Sequence, residues 1–244
     1  MTYWHLVKTS YRESWRSLFA LPLLAAIPVL VELIQHAIEI HIGMYDSAAM
    51  AAATANHPAR LAFGFVKVIA TMLPGYWVVR YLAWRDAGLA SRFSPRAARL
   101  FGWVIAVHGA WSAINLLVTP DGWGQIAASM AVGEAFTALL LAWSVAAPLG
   151  NAGIGLHASL RIMGPRLVWT VAFLFGAMLP PLIVHNLLGV AGVFAPRVLL
   201  WPIMIVDALF VGWVAALIAA TSWFAADRAA RLAKIELVPP RWPK

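Results

Sequence analysis

Apolar residues run through this chain in six long stretches, at about 18–43, 60–84, 99–118, 125–148, 167–193 and 197–225. A helix that crosses the hydrocarbon core of a bilayer needs about 20 mostly apolar residues, so each stretch predicts one transmembrane helix. Most connections are short. Helices one, three and five are preceded by the basic segments SYRESWRSLFALPLL, ASRFSPRAARLFGWV and ASLRIMGPRLVWTV. Arginines spaced among aromatic and aliphatic residues suit a short amphipathic helix in the headgroup region. The expected fold is therefore an all-α polytopic membrane protein: six transmembrane helices in three hairpins with short amphipathic cytoplasmic lead-ins. Residues 1–227 form one transmembrane domain and 228–244 a basic tail, whose final VPPRWPK is extended because of its prolines. The likeness of the lead-ins fits a threefold internal repeat, and it also fits the general rule that a positive-inside helix start is basic and amphipathic.

Composition supports the membrane assignment. Of 244 residues 62% are hydrophobic and 11% charged, with a mean hydropathy of +0.79, too little polar surface to cover a soluble globule. There is no cysteine, which excludes disulfides, iron–sulfur clusters and thiolate catalysis. The net charge of +8 would point to nucleic acid in a soluble protein, but here topology accounts for it. Fifteen Lys and Arg residues fall on the side of both termini, and only Arg60 and Arg197 in the opposite connections, with Lys67 inside the second helix. This positive-inside asymmetry places both termini in the cytoplasm and no nucleic acid among the partners. Trp15, Trp84, Trp103, Trp123, Trp169, Trp201 and Trp223 fall near helix ends, as interfacial anchors do. A cleaved leader would need the polar VELIQHAIEIH inside an unusually long cleavage region before DSAAMAAATA, so the first helix is read as retained.

The opening YRESWRSLFALPLL and the stretch GIGLHASLRIMGPRLVWTVAFLFGAMLPPL resemble the YciC-like family of six-helix bacterial inner-membrane proteins, related to the membrane domain fused to some glycerophosphodiester phosphodiesterases. The resemblance covers most of the chain in layout. It implies a polytopic inner-membrane protein concerned with membrane or envelope maintenance, and it carries no catalytic residues over.

The candidate chemistry lies inside the membrane. At 100° per residue Glu32, His36 and Glu39 fall within about 60° of one another, with Gln35 at the edge of the stripe and His41 opposite. Lys67, Glu134, His185 and Asp207 fall at comparable depth in other helices, with His108 at the inner limit of the layer. A lone charge near the bilayer centre costs about 2.5–3.5 kcal/mol, so the layer should face protein or an outward-open cavity. Pro22, Pro28, Pro74 and the pair Pro180-Pro181 are expected to kink helices around it. Three readings stay open: a structural network in which Lys67 pairs with Glu32 or Glu134 and the histidines bond to backbone; a pocket or proton-linked path for a lipid or small amphiphile; and a metal site built from Glu and His at i and i+4 plus a group from another helix.

No other motif implies a cofactor. GPRLV, GVAGV and GNAGIG lack the strand-turn-helix setting of a phosphate loop, and Ser112 after His108 is a helix residue rather than a nucleophile. An intramembrane enzyme using Glu32 and His36 would need a metal or a nucleophile beside them. The functional expectation is a non-enzymatic protein that binds or moves a lipid or amphiphile, with an accessory subunit of a larger membrane complex as the alternative. Membrane lipids, met by Arg12, Arg16, Arg92, Arg96, Arg161 and Arg166, and other membrane subunits are the expected partners.

Overall fold

The computed structural model describes residues 2–117 and 123–239. Among these the regular structure is entirely helical, and six segments are long and apolar enough to cross a membrane: Pro22–His41, Pro58–Trp84, Pro95–Asn115, Ala128–Ala146, Leu156–Phe194 and Arg197–Leu232. They coincide with the six apolar stretches, and the chain is an all-α polytopic membrane protein. Arg241, Lys244 and most of the terminal VPPRWPK lie outside the described residues.

The first long helix, α1 (Tyr3–Ala20), opens under the Thr2 side chain, which accepts from the His5 amide. It ends at Leu21 because Pro22 has no N–H and disfavours helical backbone in the residue before it. A 3₁₀ turn, Pro22–Ala25, leads into α2 (Ala26–His41). After α3 (Ala48–Thr54), capped by Ser47, the chain returns through α4 (Pro58–Met72). Pro58 stands first in α4, under an His57 cap, where its missing N–H is not needed. Pro74 divides this span, and α5 (Gly75–Trp84) completes it before Arg85 turns left-handed at φ 57°. There follow α6 (Ala87–Ser91), α7 (Pro95–Leu117), α8 (Trp123–Ala146), α9 (Leu156–Met163), α10 (Leu167–Phe194) and α11 (Arg197–Leu232). Two of the expected kinks are therefore breaks, at Pro22 and Pro74. Pro28 lies in the first turn of α2, where its absent N–H costs nothing, and α10 runs through Pro180 and Pro181 without interruption.

Successive spans pack as pairs, α2 with α4, α7 with α8 and α10 with α11. α11 is the centre: 61% of its apolar 18-residue stretch is buried, against 22–33% in the corresponding stretches of the other five, so it meets protein where they meet lipid. Its inward faces are alanine-rich, with Ala208, Ala215, Ala216, Ala220, Ala225 and Ala226 fully buried. Small side chains let helix backbones approach closely in a medium that gives no hydrophobic drive to association. Gly212 shows how closely, since a Cβ there would lie 2.6 Å from Val29 Cγ2 of α2.

The lead-ins differ from expectation. The second, residues 90–104, takes in only the end of α6 and then the first three turns of α7 itself, whereas the third, residues 158–171, covers most of α9, a 3₁₀ turn and the start of α10, so the lead-ins do not share one local structure. The first, residues 10–24, is the latter part of α1 and the 3₁₀ turn after it, and α1 packs along α11 rather than lying apart as a headgroup helix. Leu6 and Trp223 line one cavity between the two helices, and further along Trp213 Nε1 donates to Ser14 Oγ at 3.0 Å while Trp15 stacks on the Trp213 ring. Its buried stripe is polar: Thr9, Ser10, Glu13, Ser14 and Ser17. The hydroxyls of Ser10, Ser14 and Ser17 donate to carbonyls of their own helix, which makes the stripe tolerable inside protein. Glu13 is paired with Arg85 beyond α5 and with Arg16.

Burial by itself pushes the Glu13 carboxyl up, but the hydrogen bonds and charges of Arg85 and Arg16 outweigh it and hold Glu13 below its ordinary value. Folding thus favours the ionised form, and the contribution is complete above the usual carboxylate range, about pH 4.3, and lost as pH falls from there through the lowered value of the folded protein. Amide protection of α1 is expected to drop on acidification below that range in the wild type and to be insensitive to pH there in Glu13→Gln, as read by hydrogen exchange.

Candidate functional site

Five ionisable side chains from four helices close into a ring. Lys67 Nζ of α4 donates to Glu32 Oε1 of α2 at 2.8 Å. Glu32 Oε1 lies 3.4 Å from His36 Nε2, one turn on, and the same nitrogen is 3.1 Å from Asp207 Oδ2 of α11. Asp207 Oδ1 meets His185 Nδ1 of α10 at 2.7 Å, and His185 Nε2 returns to Lys67 Nζ at 3.3 Å. The i, i+4 spacing of Glu32 and His36 puts both on the α2 face that packs against α4 and α11.

Above the ring, towards the end of α2, lies a second layer centred on Glu39. Its Oε2 accepts from Tyr45 Oη at 2.8 Å and faces His36 Nδ1 at 3.2 Å. Its Oε1 accepts from Gln35 Nε2 and from Arg60 Nε, both at 3.0 Å. Burial first, and then the Glu39 carboxylate, hold the Tyr45 hydroxyl protonated well above its usual range, so it remains a donor to Glu39.

The ring fixes proton positions through its partners. Lys67 can only donate, so His185 Nε2 accepts and His185 Nδ1–H donates to Asp207. His36 differs: both ring nitrogens face carboxylate oxygens, and each needs a proton or a cation in between. Three carboxylates, Glu32, Glu39 and Asp207, stand against Lys67 and Arg60, so one imidazolium makes the cluster neutral. Glu32 and Asp207 are fully buried, which makes this pairing a condition for the charges to exist there at all.

Of the residues singled out from the sequence, Glu32, His36, Glu39, Lys67, His185 and Asp207 come together. Lys67 pairs with Glu32, not Glu134, and the clustered histidines bond to carboxylates rather than to backbone. Glu134 sits in the wall of an adjoining cavity. His108 is apart from the cluster: its Nε2 bonds Ser144 Oγ of α8 at 3.1 Å, with Phe136 edge-on to its ring. His41 is exposed, as its opposite position on α2 requires. Tyr45 and Arg60 were not legible as site residues, since Tyr45 lies beyond the predicted end of the first span and Arg60 at the very start of the second; the nearest signal was that Arg60 opens the helix that returns beside Glu39. Arg166 is occupied with the Ile162 carbonyl, and Arg12 and Arg16 flank Glu13.

Two cavities meet at the ring. One, of about 280 Å³, is the more polar of the two, with Glu32, Gln35, His36, Glu39, Tyr45 and Arg60 in its wall beside Asn186, Gly189 and the apolar Met44, Val190 and Val193. The other, of about 450 Å³, is mostly apolar and lined by Val68, Leu174, Met178, Leu182, Val214 and Ile218 among others. Lys67 and His185 belong to both. Comparison of the chain with protein-family models, curated proteins and solved structures finds no match, so the site has to be read from its own chemistry.

Removing one partner of a buried pair leaves a stranded charge, whereas removing both does not. Glu32→Gln and Lys67→Met are each expected to destabilise the protein, and the double variant to cost less than their sum by a coupling of about 1–3 kcal/mol. A double-mutant cycle of unfolding in detergent micelles measures this, and simple additivity would deny the pair.

Proposed function

We propose that the protein is a non-enzymatic, multi-pass protein of the bacterial inner membrane that binds, and hands across part of the bilayer, an amphiphile taken from the outward side. Both termini are cytoplasmic in this reading, which the excess of basic residues on their face supports, as does the resemblance in layout to the YciC-like family. The observation that carries the reading is the junction of the two cavities at Lys67 and His185. A ligand with a polar head and an apolar tail needs such a pair of compartments, one with charged and hydrogen-bonding walls and one with aliphatic walls. Lys67 stands where the head would meet the tail, and its ammonium suits the anionic group common there. Arg12, Arg16, Arg92, Arg96, Arg161 and Arg166 would meet anionic headgroups on the cytoplasmic side.

Gly64 gives a test that separates ligand binding from folding. It lies on α4 in the wall of the apolar cavity, and a Cβ there would meet nothing within 4 Å. Gly64→Leu is expected to hold or raise thermal stability, because Gly in a helix interior is disfavoured by about 1 kcal/mol. The same change fills the cavity, and native mass spectrometry of the detergent-extracted protein is expected to show a lipid adduct on the wild type that Gly64→Leu lacks. Identical adducts on both proteins, or none on the wild type, would count against the proposal.

A further inference from the structure

The ring holds an arrangement that amphiphile binding does not call for. One ligand atom each from Glu32, His36 and Asp207 lie within 4.8 Å of one another, and all three residues are buried. His36 Nε2 is 3.1 Å from Asp207 Oδ2 and 3.4 Å from Glu32 Oε1. A tetrahedral ion with bonds of about 2.0–2.1 Å holds its ligand atoms roughly 3.3 Å apart. The other ring nitrogen, His36 Nδ1, faces Glu39 Oε2 at 3.2 Å. That is the carboxylate–histidine pairing which fixes the tautomer of a metal-bound imidazole and turns Nε2 towards the ion.

An independent observation points the same way. Glu32 is wholly buried, and while Lys67 occupies its Oε1, its Oε2 has no hydrogen-bond partner; Gln35 Oε1, one turn above, has none either. A buried carboxylate oxygen without a donor is costly, and both orphaned atoms are acceptors, so what they lack is a donor or a cation.

We propose that Glu32, His36 and Asp207 bind one divalent first-row metal cation, Zn²⁺ or Mn²⁺, between α2 and α11. Two carboxylates and one imidazole suit such ions, and the absence of cysteine removes the thiolates that select softer ones. Three protein ligands leave a position for water or an external oxygen. Lys67 remains outside the ligand set as a counter-charge to Glu32. The cation site does not depend on the amphiphile reading, and the two fail separately.

The test uses full-length protein in detergent, stripped with chelator, then titrated by calorimetry with Zn²⁺, Mn²⁺ and, as a hard control, Mg²⁺; bound metal is counted by inductively coupled plasma mass spectrometry. One equivalent of Zn²⁺ or Mn²⁺ is expected on the wild type, lost in Asp207→Asn and in His36→Gln. Glu39→Gln, which keeps all three ligands, is expected to weaken binding about 10–100-fold. Lys67→Met is expected to keep the ion, having lost a competing positive charge, and Gly64→Leu to keep it while losing lipid. No stoichiometric ion on either the wild type or Lys67→Met, or an ion retained by both Asp207→Asn and His36→Gln, would overturn the proposal. Tighter binding of Mg²⁺ than of Zn²⁺ and Mn²⁺ would also overturn it, since it would exclude the imidazole.

Discussion

A charge buried at membrane depth has to be answered by another charge, and the arrangement of this bundle follows from that requirement. Glu32 and Asp207 lie on two helices, α2 and α11, and neither is reached by solvent. Glu32 has its countercharge only because α4 brings Lys67, and Asp207 its second imidazole only because α10 brings His185, to the same point. The ring thereby ties together four of the six spans at one depth, where apolar packing alone would leave helix rotation weakly specified. Helix α11 is suited to the centre of such an assembly because its alanines and Gly212 allow neighbours to come close on several sides at once.

Close packing around α11 also explains where space remains. Lys67 of α4 and His185 of α10 meet side chain to side chain, and the apolar cavity lies between their helices and α8 and α11. The polar cavity lies beyond the ring, towards Tyr45 and Arg60. The same two side chains that complete the electrostatic ring therefore form the boundary between an aliphatic and a charged compartment. Stability and ligand access share residues here, so a change at Lys67 acts on both, whereas Gly64 touches the cavity alone.

Much of this was legible in the sequence. Apolar runs of sufficient length gave all six spans, and the 100° rule correctly put Glu32, His36 and Glu39 on one buried face and His41 on the other. What one helix's periodicity cannot contain is the rotation of its neighbours. Glu134 and His108 stand at depths near the ring yet face elsewhere, the first into the apolar cavity and the second towards Ser144. Residues at or beyond the helix ends were missed for the complementary reason. Tyr45 reaches Glu39 only because the turn after α2 folds back, and Arg60 only because α4 starts beside it. The polar stripe of α1 had a helical spacing that could have been read, but its basic character suggested a headgroup surface; Glu13, buried against Arg85, shows that it faces protein instead.

The central claim is that the charged ring borders a cavity open to one side of the membrane. Because the native chain has no cysteine, single cysteines report on this directly. Gly189 lines the polar cavity with free space around it, and Ala216 is fully buried in α11. In spheroplasts, a membrane-impermeant maleimide is predicted to label Gly189→Cys from the outside and to leave Ala216→Cys unmodified until the protein is denatured. A Gly189→Cys that is as unreactive as Ala216→Cys would show a sealed network of ion pairs and contradict the account.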